Sequence, residues 1–531
     1  MTKRFPSVVL LLLTASGCAR DSYFQPDARV SYPAPMAAGT DSAVVTAGRH
    51  YLRGPIGRLF LGAHYRKAWA TPVTLPVLDP QKAVPGGLRF GKLGGGFQTT
   101  SVTLLADDGL AYALRTIDKD PYKTLPKVLR QGFVLTTVRD ATSAGMPYGA
   151  MVVPPLAQAA GIPHANPRAF YVRSDESGLD VASERFRGKV VLLEEKMEGK
   201  INLPPSLRGA SELEESDEML EERYRSQDHR IDEAAFLRAR LLDLWLGDWD
   251  RHEGQWSWAA FSQENGRTLW RPVPQDRDQV FFRFNDGLLT WLASRIVPKF
   301  RSFKPTYESV EGYTRNAHFI DQRTLSELPR ERYVRTAHDL QKRLTDEIIH
   351  RAVVKGLPRE VYALEGARME ATLRARREGL LHVAERYYGL QAKEVLVAGT
   401  DDNERFVIER LSDTATVVSV YRLGGGKAAP DSLLYRRQFN PAETHRVVLH
   451  GLRGKDEFTV SGSVSHSPFI DIYGGPEEDT VQDTSHVSGL RKKTRFFDTK
   501  RNNVLEGGKE TKDHRSHGVA SHAFDRDGSG R

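Results

Sequence analysis

Residues 234–281 constrain the fold of this chain more than any other stretch, because four local patterns follow one another there. An apolar-rich run, Ala234 to Trp245, predicts a helix. A polar loop follows it. Two strand-like runs, Trp256 to Phe261 and Thr268 to Val273, are then joined by a turn with an Asn-Gly pair, which indicates a hairpin. An acidic turn, Pro274 to Phe281, comes last, so the polar loop and the acidic turn are expected at the same end of the hairpin.

Side-chain oxygens are expected to converge at that end of the hairpin. Asp250 lies in the polar loop, Gln255 follows it five residues later, and Asp276 and Asp278 lie in the acidic turn. Oxygen groups gathered at one point suit a hard cation that bridges phosphates, together with a base for an attacking hydroxyl.

A glycine-rich block upstream adds a second polar feature. It contains Gly94, Gly95 and Gly96 and precedes two strand-like runs, Val102 to Leu105 and Ala111 to Ile117. Backbone N–H groups of a glycine-rich hairpin can approach phosphates closely. A cation from the second strand could pair with those phosphates, and either Arg115 or Lys119 is placed to do so. A third block, Val190 to Glu195, is apolar and then acidic, as in a strand that connects two lobes.

These blocks resemble the catalytic loop and metal-binding turn of protein-kinase-like phosphotransferases. The resemblance is to the atypical branches: CotH-type spore-coat kinases, HipA-type kinases and secretory-pathway kinases. Their catalytic Asp and the metal-binding residue five positions later match Asp250 and Gln255. The acidic turn matches Asp276 and Asp278 as metal ligands, and Asp276 is favoured. The glycine block, with Arg115 or Lys119, matches the phosphate-binding part.

The resemblance covers residues 88–388 and implies a two-lobed kinase-like domain that uses ATP or another nucleotide with Mg²⁺ or Mn²⁺. It implies transfer of the γ-phosphoryl group to a protein or sugar hydroxyl. The sequence departs from the family at three points. Gln255 stands where Asn is usual, Arg115 stands where Lys is usual, and residues 141–161 contain no acid to pair with the strand cation. The alternatives are an inactive kinase-like scaffold that binds partners through a β domain, and a purely structural envelope protein.

The N-terminus resembles a bacterial lipoprotein signal. Lys3 and Arg4 precede an apolar run, Val8 to Leu13, and small residues lead to Cys18, the only cysteine of the chain. The run is too short to cross a bilayer, which takes about 20 residues, but it suits a signal peptide. The resemblance implies that Cys18 is lipidated and that the protein is exported and anchored at the cell envelope, facing the periplasm or the outside. The alternative is an ordinary signal peptide with an incidental cysteine.

The predicted fold class is α+β, a two-lobed kinase-like domain followed by a small all-β domain. The predicted segments are a signal peptide (1–18), a tether and N-terminal extension (19–85), the kinase-like domain (86–390), the β domain (391–490) and a disordered basic tail (491–531). One long helix is predicted over Glu365 to Tyr388, where apolar residues recur at helical spacing. Short β-branched runs separated by turns predict the β domain.

Other functions find less support in the sequence. The net charge of +8 fits anionic lipid or acidic partners, or simply a solvated basic surface, and no segment resembles a nucleic-acid-binding module. The sixteen histidines form no cluster with zinc-ligand spacing. Gly247 to Arg251 resembles a metallophosphoesterase block but is one residue short, and the other metal-binding blocks of that family are missing.

Two acidic turns of the predicted β domain allow two interpretations. Gly451 to Phe458 and Gly474 to Asp479 resemble degenerate calcium-binding nonapeptide repeats. However, Asp456 and Asp479 are 23 residues apart rather than nine, which favours plain acidic turns between strands.

Overall fold

The structure is a computed structural model that describes residues 23–94, 100–264, 266–423, 432–516 and 523–528. Its α-helices are α1 (Pro55–Leu61), α2 (Arg66–Ala70), α3 (Gly132–Asp140), α4 (Val153–Ala160), α5 (Ser183–Phe186), α6 (Ser216–Arg225), α7 (Glu233–Leu246), α8 (Leu288–Ile296), α9 (Val310–Thr314), α10 (His318–Thr324), α11 (Arg330–Arg343), α12 (Asp346–Gly356), α13 (Arg359–Glu378) and α14 (Leu380–Ala392).

The strands up to the acidic turn are β1 (Ser42–Val45), β2 (Val73–Pro76), β3 (Leu88–Gly94), β4 (Ser101–Ala106), β5 (Ala111–Thr116), β6 (Arg168–Tyr171), β7 (Val190–Glu195), β8 (Leu213–Glu215), β9 (His229–Ile231), β10 (Trp256–Ser262) and β11 (Thr268–Pro274). The later strands are β12 (Glu394–Ala398), β13 (Glu404–Ser412), β14 (Ala415–Arg422), β15 (Leu433–Phe439), β16 (Arg446–His450), β17 (Glu457–Ser461), β18 (Ser463–Val464), β19 (Phe469–Tyr473), β20 (Thr480–Asp483), β21 (His486–Val487), β22 (Thr494–Phe497), β23 (Val504–Gly507) and β24 (Thr511–Asp513).

The first sheet is antiparallel and five-stranded, with strand order β3-β4-β5-β7-β6. Alternating apolar residues on β4 and β7 pack into a core of their own, which includes Val102, Leu104, Val191 and Leu193. Strands β4, β5 and β7 occupy the three strand-like runs predicted from the sequence. This sheet therefore forms one lobe, with β5 at its centre.

The second lobe is mostly helical and encloses α7. This helix is buried over most of its length, because its apolar residues occupy several faces, and α11, α13 and α14 pack on it. A four-stranded sheet, β8-β10-β11-β9, lies beside it. The predicted single helix over Glu365 to Tyr388 is wrong, since α13 ends at Glu378 and Gly379 separates it from α14. The apolar spacing continues across Gly379 and therefore hides the break.

The predicted tether is wrong for residues 23–50. The hydroxyl of Tyr171 donates to the buried carboxylate of Asp27 at 3.1 Å, and the Ala28 N–H donates to the Gly188 carbonyl at 2.7 Å. Strand β1 pairs with β2. The Pro- and Ser-rich composition indicates little regular structure, but hydrogen bonds to later segments fix this stretch on the first lobe.

The C-terminal part is a parallel β-helix, here called the β-coil. Successive strands from β16 onward step between three ladders, and each strand pairs in parallel with its counterpart one turn later. Arg446 pairs with Phe469 and Glu457 with Thr480, so one turn takes 23 residues. Strands β22, β23 and β24 continue the coil to Asp513. The prediction of a disordered tail from residue 491 is therefore wrong as far as Asp513. The segment is polar because many of its residues face solvent, but Thr494 and Phe496 point inward and are buried.

Within the described ranges, no helix combines the length and the apolar character needed to cross a bilayer.

Candidate functional site

The hairpin brings the polar loop and the acidic turn together, as the sequence predicts. Helix α7 ends at Leu246, and the next residue, Gly247, has a φ of 72° that turns the chain sharply into the polar loop. In the hairpin register Trp256 faces Pro274. Immediately beyond that pair, the Gln275 N–H donates to the Gln255 carbonyl at 2.9 Å. The two polar segments are therefore joined at the base of the hairpin.

The side chain of Gln255 also contacts the acidic turn. With its nitrogen facing the turn, its amide donates to the carbonyl oxygens of Gln275 at 3.3 Å and Asp276 at 3.0 Å. The side-chain carbonyl oxygen is left free of these two contacts. In this structure Gln255 supports the backbone of the turn that carries Asp276.

The acidic turn has an unusual backbone. Asp276 and Phe281 have φ values of 45° and 60°, a left-handed region that non-glycine residues rarely occupy. Phe281 is fixed at both backbone groups: its N–H donates to the Leu246 carbonyl at 3.0 Å, and its carbonyl accepts from the Tyr65 hydroxyl at 2.6 Å. Such conformations persist only where the surroundings hold them, and they cluster at functional sites.

Cations of the first lobe face the carboxylates of this turn. The guanidinium of Arg115 lies 2.6 Å from the carboxylate of Asp276 and 3.3 Å from that of Glu194 on β7. Lys119, just beyond β5, pairs with Asp278. Each of the two predicted phosphate-binding cations therefore pairs with one of the two carboxylates predicted as metal ligands. The sequence suggested no acidic partner for Arg115 in residues 141–161, and the structure supplies Glu194 from the neighbouring strand instead.

These contacts separate the pKa values of the carboxyl groups. Burial raises the pKa of Asp276, but Arg115 and Lys119 outweigh it and the pKa falls to about 2. Burial and then the charge of Asp276 raise the pKa of Asp278 to about 6, with Lys119 opposing the shift. Burial raises the pKa of Glu194 to about 7 despite Arg115. Divergent pKa values within one cluster are typical of functional sites.

A cavity of about 460 Å³ opens at this cluster. Its charged end is formed by Arg115, Lys119, Glu194, Asp276 and Asp278. Its apolar end is formed by side chains from α1, from α8, from the segment after the acidic turn and from the segment after α8, namely Leu61, Leu289, Ala293, Phe282, Phe284 and Phe300. A volume of this size suits a small-molecule ligand with both polar and apolar parts.

Asp250 lies beside the cavity rather than on its wall. Its carboxylate accepts a hydrogen bond of 2.7 Å from the Asn316 amide, and its N–H donates to Asp248 Oδ1 at 3.2 Å. The other oxygen of the buried Asp248 makes no hydrogen bond, and burial raises the pKa of that carboxyl to about 7. Asp248 is thus a second carboxylate in the polar loop, and Asn316 is a partner that sequence reasoning missed.

A buried charge cluster that the sequence did not reveal supports the site. Asp243 of α7 lies 3.3 Å from Arg240, 3.2 Å from Arg251 and 2.9 Å from Arg277. Arg251 comes from the polar loop and Arg277 from the acidic turn, so one carboxylate links the helix to both segments. Three basic residues separated along the chain give no local pattern, although an Asp in the middle of an apolar helix is a usable indication.

The glycine block is only partly described. Gly94 ends β3, and a Cβ placed there would lie 2.9 Å from the Ser101 hydroxyl. Gly95 and Gly96 lie outside the described residues. No group of three or more His, Cys, Asp or Glu side chains in the described segments forms a metal cage. Asp276 and Asp278 fit a cation bound by one or two carboxylates plus the phosphates of its nucleotide, which is the usual arrangement for Mg²⁺.

No protein-family model matches this sequence, and no curated protein sequence matches it. Three similar solved structures are all kinases. The Helicobacter pylori proinflammatory kinase CtkA is 10% identical with a TM-score of 0.28, over 54% of this chain and 93% of that chain. The Golgi casein kinase with Mn/ADP bound is 11% identical with a TM-score of 0.30, over 59% of this chain and 75% of that chain. The Rio2 kinase-ADP/Mg²⁺-phosphoaspartate complex from Chaetomium thermophilum is 15% identical with a TM-score of 0.24, over 55% of this chain and 71% of that chain. Similarity at such TM-scores decides nothing about this chain, so a function must rest on the geometry of the site.

Proposed function

We propose that this protein is a kinase-like, metal-dependent phosphotransferase that moves the γ-phosphoryl group of a nucleotide to a protein or sugar hydroxyl. One observation carries the proposal: Arg115 and Lys119 pair with Asp276 and Asp278 on the wall of a cavity that residues of both lobes line. Two cations that could hold phosphates and two carboxylates that could hold a metal are the parts that phosphoryl transfer needs.

The residues would divide the work as follows. Arg115 and Lys119 would leave their carboxylate partners and bind the phosphates of the nucleotide. Asp276, Asp278 and the free oxygen of Gln255 would hold Mg²⁺ or Mn²⁺, which supplies positive charge between the β- and γ-phosphates. Asp250 would accept the hydroxyl proton as the hydroxyl oxygen bonds to the γ-phosphorus. The bond from that phosphorus to the β-phosphate oxygen would break, and the nucleoside diphosphate would leave.

A second candidate is a non-catalytic binding protein with the same cavity. Two contacts favour it: the Gln255 amide binds the backbone of the acidic turn, and the Asp250 carboxylate accepts from Asn316. A protein of this kind would bind a nucleotide without turning it over, and the β-coil would be free to bind partners.

Ligand-induced stabilisation tests the proposal. We would measure the thermal unfolding of the full chain carrying Cys18→Ser, with Mn²⁺ alone and with Mn²⁺ plus ATP. Nucleotide at 100 times its dissociation constant should add about 2.7 kcal/mol to the free energy of unfolding. Asp276→Asn/Asp278→Asn should abolish the gain, whereas Asp175→Asn, at an exposed ion pair with Arg173, should keep it. No gain in the parent chain would contradict nucleotide binding, and a gain without ATP turnover would favour the binding protein.

We also propose that Cys18 carries lipid and anchors the protein at the cell envelope. The support is the sequence pattern before Cys18 and its standing as the only cysteine. Metabolic labelling with a fatty acid should modify the parent chain and leave Cys18→Ser unlabelled. Equal labelling of the two chains would contradict the proposal.

A further inference from the structure

Helices α1 and α8 present an apolar surface to solvent. They contact each other, and no residue of α1 is buried. Ile56 and Ile296 are 75% and 74% exposed. The surface, here called the α1–α8 surface, consists of the exposed residues Ile56, Leu59, Leu288, Trp291, Leu292 and Ile296. Large apolar side chains gathered in this way mark a binding surface more often than chance exposure.

The same two helices form part of the cavity wall. Leu61 of α1, with Leu289 and Ala293 of α8, lines the apolar end of the cavity. The exposed residues lie on the remaining faces of these helices. Whatever covers the α1–α8 surface therefore lies next to the candidate site.

The charge around the α1–α8 surface is mostly positive, and Asp286, which precedes α8, is paired with His64. Residues 42–78 and 287–307 contain no Asp or Glu, and they contain five and four Lys or Arg residues respectively. Arg58 and Arg295 are exposed on the two helices. The guanidinium of Arg295 lies 5.0 Å from the ring centre of Trp291. Apolar side chains flanked mainly by cations, with a Trp among them, match the boundary between lipid headgroups and acyl chains.

We propose that the α1–α8 surface docks onto a membrane that contains anionic lipid. Its apolar side chains would enter the headgroup and acyl boundary, while Arg58 and Arg295 would meet lipid phosphates. A second copy of the chain fits less well. A symmetric contact through this surface would bring the cations of the two copies together, and the carboxylate of Asp286 is already paired with His64.

The first described residue, Tyr23, packs on the segment that leads into α1. The centre of the Tyr23 ring lies 5.3 Å from that of the His50 ring and 6.3 Å from that of the Tyr51 ring. Helix α1 begins shortly after them, at Pro55. The five residues from Cys18 to Tyr23 can span at most about 18 Å. Lipid on Cys18 would therefore hold the first lobe close to the membrane. This step rests on the proposed lipidation, whereas the α1–α8 surface itself does not.

Flotation with lipid vesicles tests the proposal. The full chain with Cys18→Ser would be mixed with vesicles of phosphatidylcholine, either alone or with 30% phosphatidylglycerol. We expect binding to the anionic vesicles that weakens as salt is added. Ile56→Ser/Leu59→Ser/Leu292→Ser/Ile296→Ser should reduce the bound fraction at least tenfold. Arg58→Gln/Arg295→Gln should reduce binding on anionic vesicles to the level seen on neutral ones.

A matched control distinguishes binding through this surface from nonspecific hydrophobic adsorption to the vesicles. Val181→Ser/Val354→Ser/Leu411→Ser/Leu433→Ser removes four other exposed apolar side chains and should bind like the parent chain. The proposal is overturned if the parent chain does not float, or if the two Ser variants float equally. It is also overturned if the parent chain is a dimer that the first Ser variant dissociates without losing flotation. An unchanged thermal midpoint checks folding, and the Arg variant remains diagnostic if the first Ser variant unfolds.

Discussion

Arg115 and Asp276 lie 2.6 Å apart and connect the central strand of the first lobe to the acidic turn of the second. Arg115 also pairs with Glu194, so one guanidinium balances two carboxylates in a largely buried site. A nucleotide that used Arg115 for its phosphates would have to replace this contact. The pair therefore contributes to stability in the free protein and would compete with ligand binding.

Substitution of the pair should reveal its coupling. Arg115→Met should lower the free energy of unfolding by about 2 kcal/mol, because it leaves two carboxylates without their cation. In a double-mutant cycle with Asp276→Asn, urea unfolding should give a coupling of about 0.5–3 kcal/mol. The exposed pair Lys455–Glu478 should give less than about 1 kcal/mol. Additive effects at Arg115 and Asp276 would show that the pair contributes nothing.

Substitution to the amide should distinguish the roles of the two carboxylates of the polar loop, Asp248 and Asp250. Asp250→Asn should reduce metal-dependent ATP turnover by about 10²–10⁴-fold, the usual contribution of a general base. Asp248→Asn should cost less than about tenfold, because the new amide oxygen can still accept from the Asp250 N–H. ADP release with water as acceptor gives the rate, and the ATP-induced thermal shift shows whether binding persists. The reverse order of effects would move the role of base to Asp248.

Local patterns in the sequence were enough to predict the elements around the site. The helix before the polar loop, the hairpin and the strands β4, β5 and β7 are all confirmed within a residue or two. Each has a local cause: an apolar-rich run for the helix, an Asn-Gly pair for the hairpin and short strand-like runs for β4, β5 and β7. Convergence of the polar loop and the acidic turn is confirmed as well, because a hairpin fixes its two ends close together.

Interactions between distant segments were not predictable in this way. Glu194 reaches Arg115 from a neighbouring strand, and Asp243 gathers guanidinium groups from three segments. The sequence predicted the strands of the β-coil but not their coiled arrangement, although the sequence contains a 23-residue period. Gly451 precedes Asp456 by five residues, and Gly474 precedes Asp479 by five. The inserted strands β14 and β15 separate these repeats from the first turn of the coil, which hides the period.

Asp243 should be essential for the stability of the second lobe. Asp243→Asn leaves Arg251 and Arg277 buried beside a neutral partner, while Arg240 keeps Asp321, and should cost about 3–5 kcal/mol. Urea unfolding of the full chain gives the value. Asp346→Asn, at an exposed carboxylate paired with Arg377, should change stability by less than about 0.5 kcal/mol. Similar losses in the two variants would contradict a special role for the buried cluster.

Carboxyl groups are stacked inside one corner of the β-coil. The Glu404 N–H donates to Asp456 at 2.7 Å, the Asp456 N–H donates to Asp479 at 2.9 Å, and the Asp479 N–H donates to Asn503 at 2.7 Å. Gly451 and Gly474 lie beside them, where an added Cβ would fall 2.2 Å from Oδ2 of Asp456 or Asp479. The acidic residues do lie at turns between strands, but they form a buried column rather than a solvated surface.

This column should make the stability of the β-coil depend on pH. Burial, followed by the neighbouring carboxylates, raises the pKa of Asp456 to about 10. Burial raises the pKa of Asp479 to about 8, although the Asp456 N–H opposes the shift. The unfolded chain releases these protons near pH 4. Because the folded state holds more protons above pH 4, the free energy of unfolding should fall as pH rises toward 10, by up to about 1.4 kcal/mol per pH unit for each proton.

Asp456→Asn should reduce that slope between pH 6 and 9. The amide keeps an acceptor for the Glu404 N–H and carries no ionisable proton, and Asn503 already fills the equivalent place two steps along the column. Urea unfolding of the full chain, followed by far-ultraviolet circular dichroism across this pH range, measures the slope. Asp413→Asn at the surface should leave it unchanged, since the pKa of Asp413 is lowered by hydrogen bonds from the backbone of Ser465 and His466. An unchanged slope in Asp456→Asn would mean that Asp456 is already ionised in the folded coil.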